Sequence, residues 1–147
     1  MTEAYLSFES TQQQLKRAVG FKLMTIMCLT NSQACRCYTS DTEHYPVSGV
    51  KPLEFDDWHQ HVVVEATPFV CNERALLDKH LKDSDLFERL ELGSAINLPV
   101  MFQDEVIGTI NLLDEEGAYF SIDLPNAMEV AQQVAPDLMA FRRALEK

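Results

Sequence analysis

The chain has 147 residues, a formal net charge of −11 and a hydrophobic share of 46%. This length suits a single domain over residues 1–147. The acidity argues against nucleic acid and anionic membrane as partners, and is best explained as an aid to solubility. No apolar run approaches the ~20 residues of a membrane span, and no signal peptide is evident. We therefore expect a cytoplasmic protein with four reduced cysteines.

The first third of the chain predicts a helix followed by a hairpin. Residues 2–18 have helical apolar spacing that ends at Gly20. The apolar segment 21–30 predicts a buried strand, and the alternating segment 34–40 predicts its partner. Residues 41–52 carry three breakers and are expected to form a loop.

Short elements follow in the middle of the chain. Residues 56–65 predict a short helix and residues 67–72 a short strand. A helix is then expected to begin at Asn72, which is a plausible N-cap. A further short helix is expected over residues 83–92.

A second hairpin contains two asparagines in apolar strands. With a two-residue turn at Asp104 and Glu105, Asn97 and Asn111 project to opposite faces of the sheet. Both faces are mostly apolar, so both should be covered. Each asparagine either bonds to nearby backbone, as most buried amides do, or lines a pocket. The residues alone leave these two alternatives open.

The element order predicts an α+β fold. It comprises a central antiparallel sheet with the terminal helices on one face. Residues 123–147 form the last helix, which Pro136 should kink or split. Only residues 41–92 can cover the other face. Because loops and short helices pack less tightly than one long helix, a ligand cavity is expected under this cover.

Motifs for catalysis or metal binding are weak. There is no Gly-rich phosphate loop, HExxH or GxSxG pattern, and the histidines are spaced as surface or loop residues. Cys35 and Cys37 should share a strand face, where a strained disulfide or buried free thiols are the alternatives. Cys71 is the best candidate for a reactive thiol, but no basic neighbour in sequence lowers its pKa. We expect no catalytic residues, no metal and no cofactor.

A cluster of aromatic and polar residues between residues 36 and 58 is the stronger signal for binding. Aromatic walls with one or two fixed charges suit a small anionic or planar ligand. The alternative is that the aromatics simply cover the sheet and Arg36 pairs with a carboxylate. The candidate ligand-binding residues, including two polar residues from later in the chain, are Arg36, Tyr38, Ser40, Tyr45, Lys51, Trp58, Asn72 and Ser94.

Three segments resemble the GAF domain family over nearly the whole chain. They are RCYTSDTEHYPVSGVK (36–51), PFVCNERALLD (68–78) and DLFERLELGSAINLPVMFQDEVIGTINLL (85–113). The last is the most specific, since a Gly-Ser pair, a strand, a short turn and VIGTINLL are the usual end of such a domain. The resemblance implies a central antiparallel sheet with terminal helices on one face and a ligand pocket on the other.

The same resemblance implies a sensory function. GAF domains mostly bind small molecules, such as cyclic nucleotides, bilins or metabolites, and control an attached enzyme or regulator. Here no residues remain for an output domain, so we expect a stand-alone sensor acting on a separate regulatory protein. The signature of cyclic-nucleotide binders and the cysteine context for bilin attachment are both missing from the sequence.

Two alternatives to the sensor remain. One is a thiol-dependent redox enzyme resembling the free methionine-(R)-sulfoxide reductases, although their arrangement of three cysteines is not found here. The other is a scaffold that has lost its ligand.

A homodimer is also predicted, because the last helix has two neighbouring apolar stripes. The stripe with Met128, Ala131, Ala135 and Leu138 would lie in water in a monomer, and the first helix adds Tyr5, Phe8 and Leu15. Alternatively, the terminal helices cover each other within one chain.

Overall fold

A computed structural model describes the backbone of residues 3–80 and 84–147, and the side chains of residues 6–79 and 84–147. The strands are β1 (Leu23–Leu29), β2 (Gln33–Thr39), β3 (Val50–Pro52), β4 (Phe69–Cys71), β5 (Ser94–Phe102) and β6 (Glu105–Asp114). The helices are α1 (Glu3–Ala18), α2 (Asp57–His59), α3 (Arg74–His80), α4 (Ser84–Arg89), α5 (Leu124–Ala131) and α6 (Ala135–Leu145). A π-helical turn, Gln60–Val64, extends α2, and a 3-10 turn, Gln132–Val134, joins α5 to α6.

The six strands form one antiparallel sheet in the order β3-β2-β1-β6-β5-β4. The helices α1, α5 and α6 cover one face and enclose the main core. A smaller core, around Leu77, Phe87 and Leu92, lies on the opposite face at the end formed by α3 and α4. The α+β prediction, with terminal helices on one face and a cover of loops and short helices on the other, is confirmed.

The hairpin of β5 and β6 differs from its predicted register. Its turn residues are Gln103 and Asp104, both with positive φ (52° and 65°), as a type I′ turn requires. This earlier turn alone would place Asn97 opposite Ile110. A bulge between Val100 and Met101 then shifts the pairing by one residue, and Asn97 lies opposite Asn111. The prediction that the two asparagines face opposite sides of the sheet is therefore wrong.

The helical layer is closed within one chain. Ala131, Ala135 and Leu138 are buried, and Leu138 packs so closely on β6 that a Cβ at Gly108 would lie 2.6 Å from its Cδ2. The prediction that this stripe lies in water is wrong, because α1 packs against α5 and α6 and turns the stripe inward. Met128 is half-buried. On the first helix, Phe8 and Leu15 are buried in the main core, contrary to the prediction, and the side chain of Tyr5 lies outside the described residues.

Pro136 splits the last helix, as predicted. The first part ends at Ala131, and after the 3-10 turn α6 begins at Ala135 with the proline in its first turn, where its missing N–H is tolerated. Within the described residues, no helix is both long and apolar enough to cross a membrane.

Candidate functional site

A cavity of about 540 Å³ lies on the sheet face opposite α1, α5 and α6. Its floor consists of residues from three adjacent strands, β1, β6 and β5, with Ala34 and Arg36 of β2 beside them. Its walls come from the loop after β2, from β3 and the segment that follows it, from α2 and from α4. The lining is mostly apolar, with Tyr45, Trp58 and Phe87 as the aromatic residues. A cavity therefore forms under the predicted loop and short-helix cover.

A row of hydrogen-bonded polar side chains crosses the cavity floor. Asn97 on β5 donates from Nδ2 to Oδ1 of Asn111 on β6, at 2.8 Å. Asn111 donates from Nδ2 to Oγ1 of Thr25 on β1, at 3.2 Å. The indole Nε1 of Trp58 donates to Oδ1 of Asn97, at 2.9 Å. Both asparagines therefore line the cavity, and the described hydrogen bonds of their amides go to side chains and not to nearby backbone.

The local fold of α2 positions Trp58 in the wall. The Asp56 carboxylate accepts a hydrogen bond from the backbone N–H of His59 at 2.9 Å and caps the helix. This cap fixes the first turn, in which Trp58 is half-buried over the floor. Since the chain contains a single tryptophan, its hydrogen bond to Asn97 links wall and floor at a position that fluorescence can observe.

The mouth of the cavity carries charges of both signs. Arg36 stacks its guanidinium on the ring of Tyr45, 3.8 Å from the centroid, and donates from Nη1 to the carbonyl of Pro46 at 2.8 Å. Lys51 lies on the edge strand β3, and the carboxylates of Glu54 and Asp56 line the same mouth. Two cations and two carboxylates do not give this entrance a net positive charge.

Thr109 on β6 differs from the other polar residues of the floor because its side chain has no hydrogen-bond partner among the described residues. Its side chain lines the cavity and is 1% exposed, yet its hydroxyl makes no hydrogen bond to any described residue. Thr109 lies two residues before Asn111 on the same strand, so both side chains project to the same face. The floor therefore combines a satisfied row of amides with one unsatisfied hydroxyl.

Four of the eight predicted binding residues line the cavity and four do not. Arg36, Tyr45, Lys51 and Trp58 line it. Tyr38 lies on the opposite face, where its hydroxyl donates to Gln12 and its ring packs edge-on against Phe8. A bulge between Ile26 and Met27 shifts the β1–β2 register, so that the alternation expected to keep Tyr38 beside Arg36 is broken.

The side chains of the other three predicted residues form hydrogen bonds with backbone groups. The hydroxyl of Ser40 accepts from the N–H of Met24 at 2.9 Å. Asn72 does not cap α3, because its Oδ1 accepts from the N–H of Tyr119 at 2.7 Å. Ser94 donates to the carbonyl of Glu115 at 2.6 Å. Each of these polar groups is held by a loop or strand end, so none of the three reaches the cavity.

Sequence reasoning missed the threonines of the floor. Thr25 and Thr109 are single hydroxyls in otherwise apolar strands, and Asn111 lies on the same face of the sheet. A buried hydroxyl in such a strand is itself a signal, because it needs a hydrogen-bond partner that an apolar neighbour cannot supply. Phe87 was also missed, since it comes from a distant segment, and Glu54 and His59 were missed although they lie near Lys51 and Trp58 in the sequence.

Within the described residues, no cysteine lines the cavity. Cys28 lies in the core on the helical side, opposite Cys35 on β2, and Cys37 belongs to the same core. Burial raises the pKa of Cys28 to about 12 and also raises the pKa of Cys37. Cys71 donates to the carbonyl of Glu73 at 3.3 Å, and burial raises its thiol pKa as well.

These thiols are protonated at neutral pH and are poor nucleophiles. Cys35 and Cys37 are free thiols; burial is the main cause that raises the pKa of Cys37, and Cys28 and Cys35 add to it. Among the described side chains, no group of three or more His, Cys, Asp or Glu could hold a metal ion.

Solved structures with the same fold include GAF domains and an enzyme. The GAF domain of a two-component sensor histidine kinase from Bacillus halodurans has a TM-score of 0.73 and 11% identity, covering 94% of this chain and 95% of that one. The GAF domain/HD domain protein from Geobacter sulfurreducens has a TM-score of 0.75 and 9% identity, covering 96% and 95%.

A type II free methionine-R-sulfoxide reductase from Thermoplasma acidophilum has a TM-score of 0.69 and 20% identity, covering 96% of this chain and 97% of that chain. At these identities the likeness is one of fold.

The family assignment comes from the sequence match. No curated protein sequence matches the chain. The family model for the GAF domain matches residues 7–139, which is most of the chain. The chain therefore belongs to the GAF domain family.

Proposed function

We propose that this protein is a non-enzymatic sensor that binds a small molecule in the cavity and signals to a separate regulatory protein. The observation that carries the proposal is the cavity of about 540 Å³, with an amide floor and an aromatic wall. Mostly apolar cavities with a few placed polar groups are typical of small-molecule sites. The sensor histidine kinase among the structural neighbours supports a signalling role.

Binding without catalysis fits the placement of the nucleophiles. The four thiols lie outside the cavity lining, and burial raises the pKa of each. A thiol enzyme needs an ionisable cysteine that reaches its substrate. The proposal therefore assigns the cysteines to the core, and it includes no cofactor.

A molecule retained through purification would test the sensor most directly. Native mass spectrometry of fresh protein should show a mass above that of the 16.7 kDa chain, lost on denaturation. Trp58→Phe removes the indole N–H that bonds Asn97, so it should lower the bound fraction and perturb cavity residues in NMR spectra.

Tyr38→Phe is the matched control, because it removes an aromatic hydrogen-bond donor on the other sheet face. A bound molecule that depends equally on both residues would contradict the proposed site. An empty cavity that accepts no small molecule would instead favour the scaffold alternative.

The second candidate is a thiol-dependent redox enzyme. What favours it is the methionine sulfoxide reductase among the neighbours, at 20% identity. Thiols would be titrated before and after incubation with free methionine-(R)-sulfoxide. We expect no loss of thiols. Turnover that disappears in Cys71→Ser would favour the enzyme instead.

The compartment and the assembly remain part of the proposal. We place the protein in the cytoplasm, which agrees with its four unpaired cysteines. We also keep the homodimer. Its support is a set of apolar side chains that the helical layer leaves exposed or half-buried: Leu6, Met128, Val130, Met139 and Phe141.

A further inference from the structure

We propose that the cavity selects a ligand with an uncharged hydrogen-bonding group, such as a carboxamide, carbonyl or hydroxyl, directed at Thr109, and an apolar body against the aromatic wall. This inference rests on the proposed binding function and specifies the ligand class. It is carried by the hydroxyl of Thr109, which is 1% exposed and has no partner among the described residues.

An unsatisfied buried hydroxyl is unfavourable in the free protein. Folding removes the hydroxyl from water and gives no hydrogen bond in return. A ligand atom that bonds Thr109 would supply the missing partner. The side chain lines the cavity, but its hydroxyl is covered in the free protein. In the proposed complex, rotation of the side chain about χ1 turns the hydroxyl toward the cavity, where the ligand bonds it.

The surrounding floor indicates that this group is neutral. The neighbouring amides of Asn97 and Asn111 are dipoles without net charge, and they hydrogen-bond to each other, to Thr25 and to the Trp58 indole. Of the lining charges, Lys51 comes from the edge strand β3, and Glu54 and Asp56 come from the segment before α2. Arg36 comes from β2, beside the floor, and its guanidinium already contacts Tyr45 and the carbonyl of Pro46. A charged group directed at the floor would lose its hydration without meeting an opposite charge.

The mouth does not favour an anion either. The guanidinium of Arg36 is already stacked on Tyr45 and bonded to the carbonyl of Pro46. The remaining cation, Lys51, shares the mouth with the carboxylates of Glu54 and Asp56. The sequence pattern predicted a small anionic or planar ligand; in the proposed complex the floor, and not Arg36 or Lys51, selects the ligand.

Three probes of similar size test this inference: phenylacetamide, phenylacetate and ethylbenzene. Their dissociation constants would be measured at pH 7 by titrating ¹⁵N-labelled protein and following the amide signals of β5, β6 and β1. We expect phenylacetamide to bind most tightly. Thr109→Val, which keeps the shape but removes the hydroxyl, should weaken it about fivefold, as expected for one neutral hydrogen bond. Ethylbenzene should bind as before or more tightly, and Thr109→Ser should restore the affinity for phenylacetamide.

Thr11→Val is the matched control. Thr11 on α1 is also 1% exposed, and its hydroxyl also lacks a partner among the described residues, but it does not line the cavity. Both valine variants should have a Tm equal to the wild type or up to about 3 °C higher, since each loses an unsatisfied hydroxyl. Only Thr109→Val should change probe binding.

The outcomes separate this inference from the proposed function. Unchanged phenylacetamide affinity in Thr109→Val, with signals still shifting around the cavity, would overturn the inference and leave the binding function intact. Tighter binding of phenylacetate than of phenylacetamide would also overturn it, because the cations would then select the ligand. If no probe binds, the proposed ligand class is wrong. The binding function is then tested separately, by whether native mass spectrometry finds a retained molecule.

Discussion

At the scale of residues, the amide side chains in the cavity floor find hydrogen-bond partners in one another. A buried carboxamide without partners is destabilising, and the apolar residues around it cannot supply hydrogen bonds. Asn97 and Asn111 lie directly opposite each other on adjacent strands, so one amide becomes the partner of the next. Trp58 and Thr25 then satisfy the two ends of the row.

Replacing Asn97 should show how much this row contributes. Asn97→Leu removes the acceptor for the Trp58 indole and the donor to Asn111. Because two partly buried polar groups, on Trp58 and Asn111, lose their partner, we expect the free energy of unfolding to fall by about 2 kcal/mol. The emission of Trp58 should also change, since its indole loses the hydrogen bond to Asn97. Urea unfolding, followed by fluorescence and circular dichroism, measures both effects.

Asn126→Leu is the control, because this asparagine is exposed on α5. It should change the free energy of unfolding by less than about 0.5 kcal/mol. An equal loss of stability in both variants would mean that the hydrogen-bonded row contributes nothing of its own.

At the scale of elements, the sequence predicts the helices and strands but not the two β-bulges, which change the register of the strands. Apolar patterns and breakers were enough to predict the helices, the hairpins and the split at Pro136. The register was not predictable in the same way, because one extra residue reverses the face of every side chain beyond it. The bulge in the β1–β2 pair therefore removed Tyr38 from the predicted site, and the one in the β5–β6 pair brought Asn97 and Asn111 together.

The side chain of Gln132, between α5 and α6, bonds to the edge of the sheet at a point where no described strand does. The short strand β4 pairs with β5 only as far as Asn97. Beyond it, the Gln132 side chain donates from Nε2 to the carbonyl of Pro99 at 2.9 Å and accepts from the N–H of Met101 at 2.9 Å. One side chain thus continues the backbone hydrogen bonding of the edge and attaches the helical layer to it.

Gln132→Leu should therefore weaken both the edge and the helix contact. It leaves the carbonyl of Pro99 and the N–H of Met101 without this partner, so we expect a loss of about 2 kcal/mol in the free energy of unfolding. Hydrogen exchange at Met101 should become faster. Gln133→Leu is the matched control one residue later, because Gln133 is exposed and bonds only to Gln14 among the described residues. The edge contact would be refuted if the two variants had equal stability.

At the scale of the whole molecule, the helical layer binds the sheet through apolar packing and one buried charge. Arg142 on α6 is buried and donates to Glu105 at 3.0 Å and to Asn31 at 3.3 Å. It thereby joins the ends of both hairpins to the last helix. The terminal helices were predicted on this face because their apolar stripes need a cover, but sequence could not show which stripe faces inward. That choice depends on the close approach of Leu138 to Gly108.

This inward orientation changes how the homodimer can be tested. Leu138 is 0% exposed, so Leu138→Glu would bury an unpaired carboxylate and should abolish cooperative unfolding. A loss of assembly in that variant would report unfolding and not an interface. Leu6 on α1 is 58% exposed, so a glutamate is tolerated there without loss of stability.

If the outer face of the helical layer forms the proposed interface, Leu6→Glu should weaken dimerisation at least tenfold while circular dichroism and Tm stay unchanged. Light scattering over a range of concentrations measures the mass of both proteins. A mass near 16.7 kDa for the wild type at high micromolar concentration would contradict the homodimer. A dimer that Leu6→Glu leaves intact would move the interface away from this part of α1.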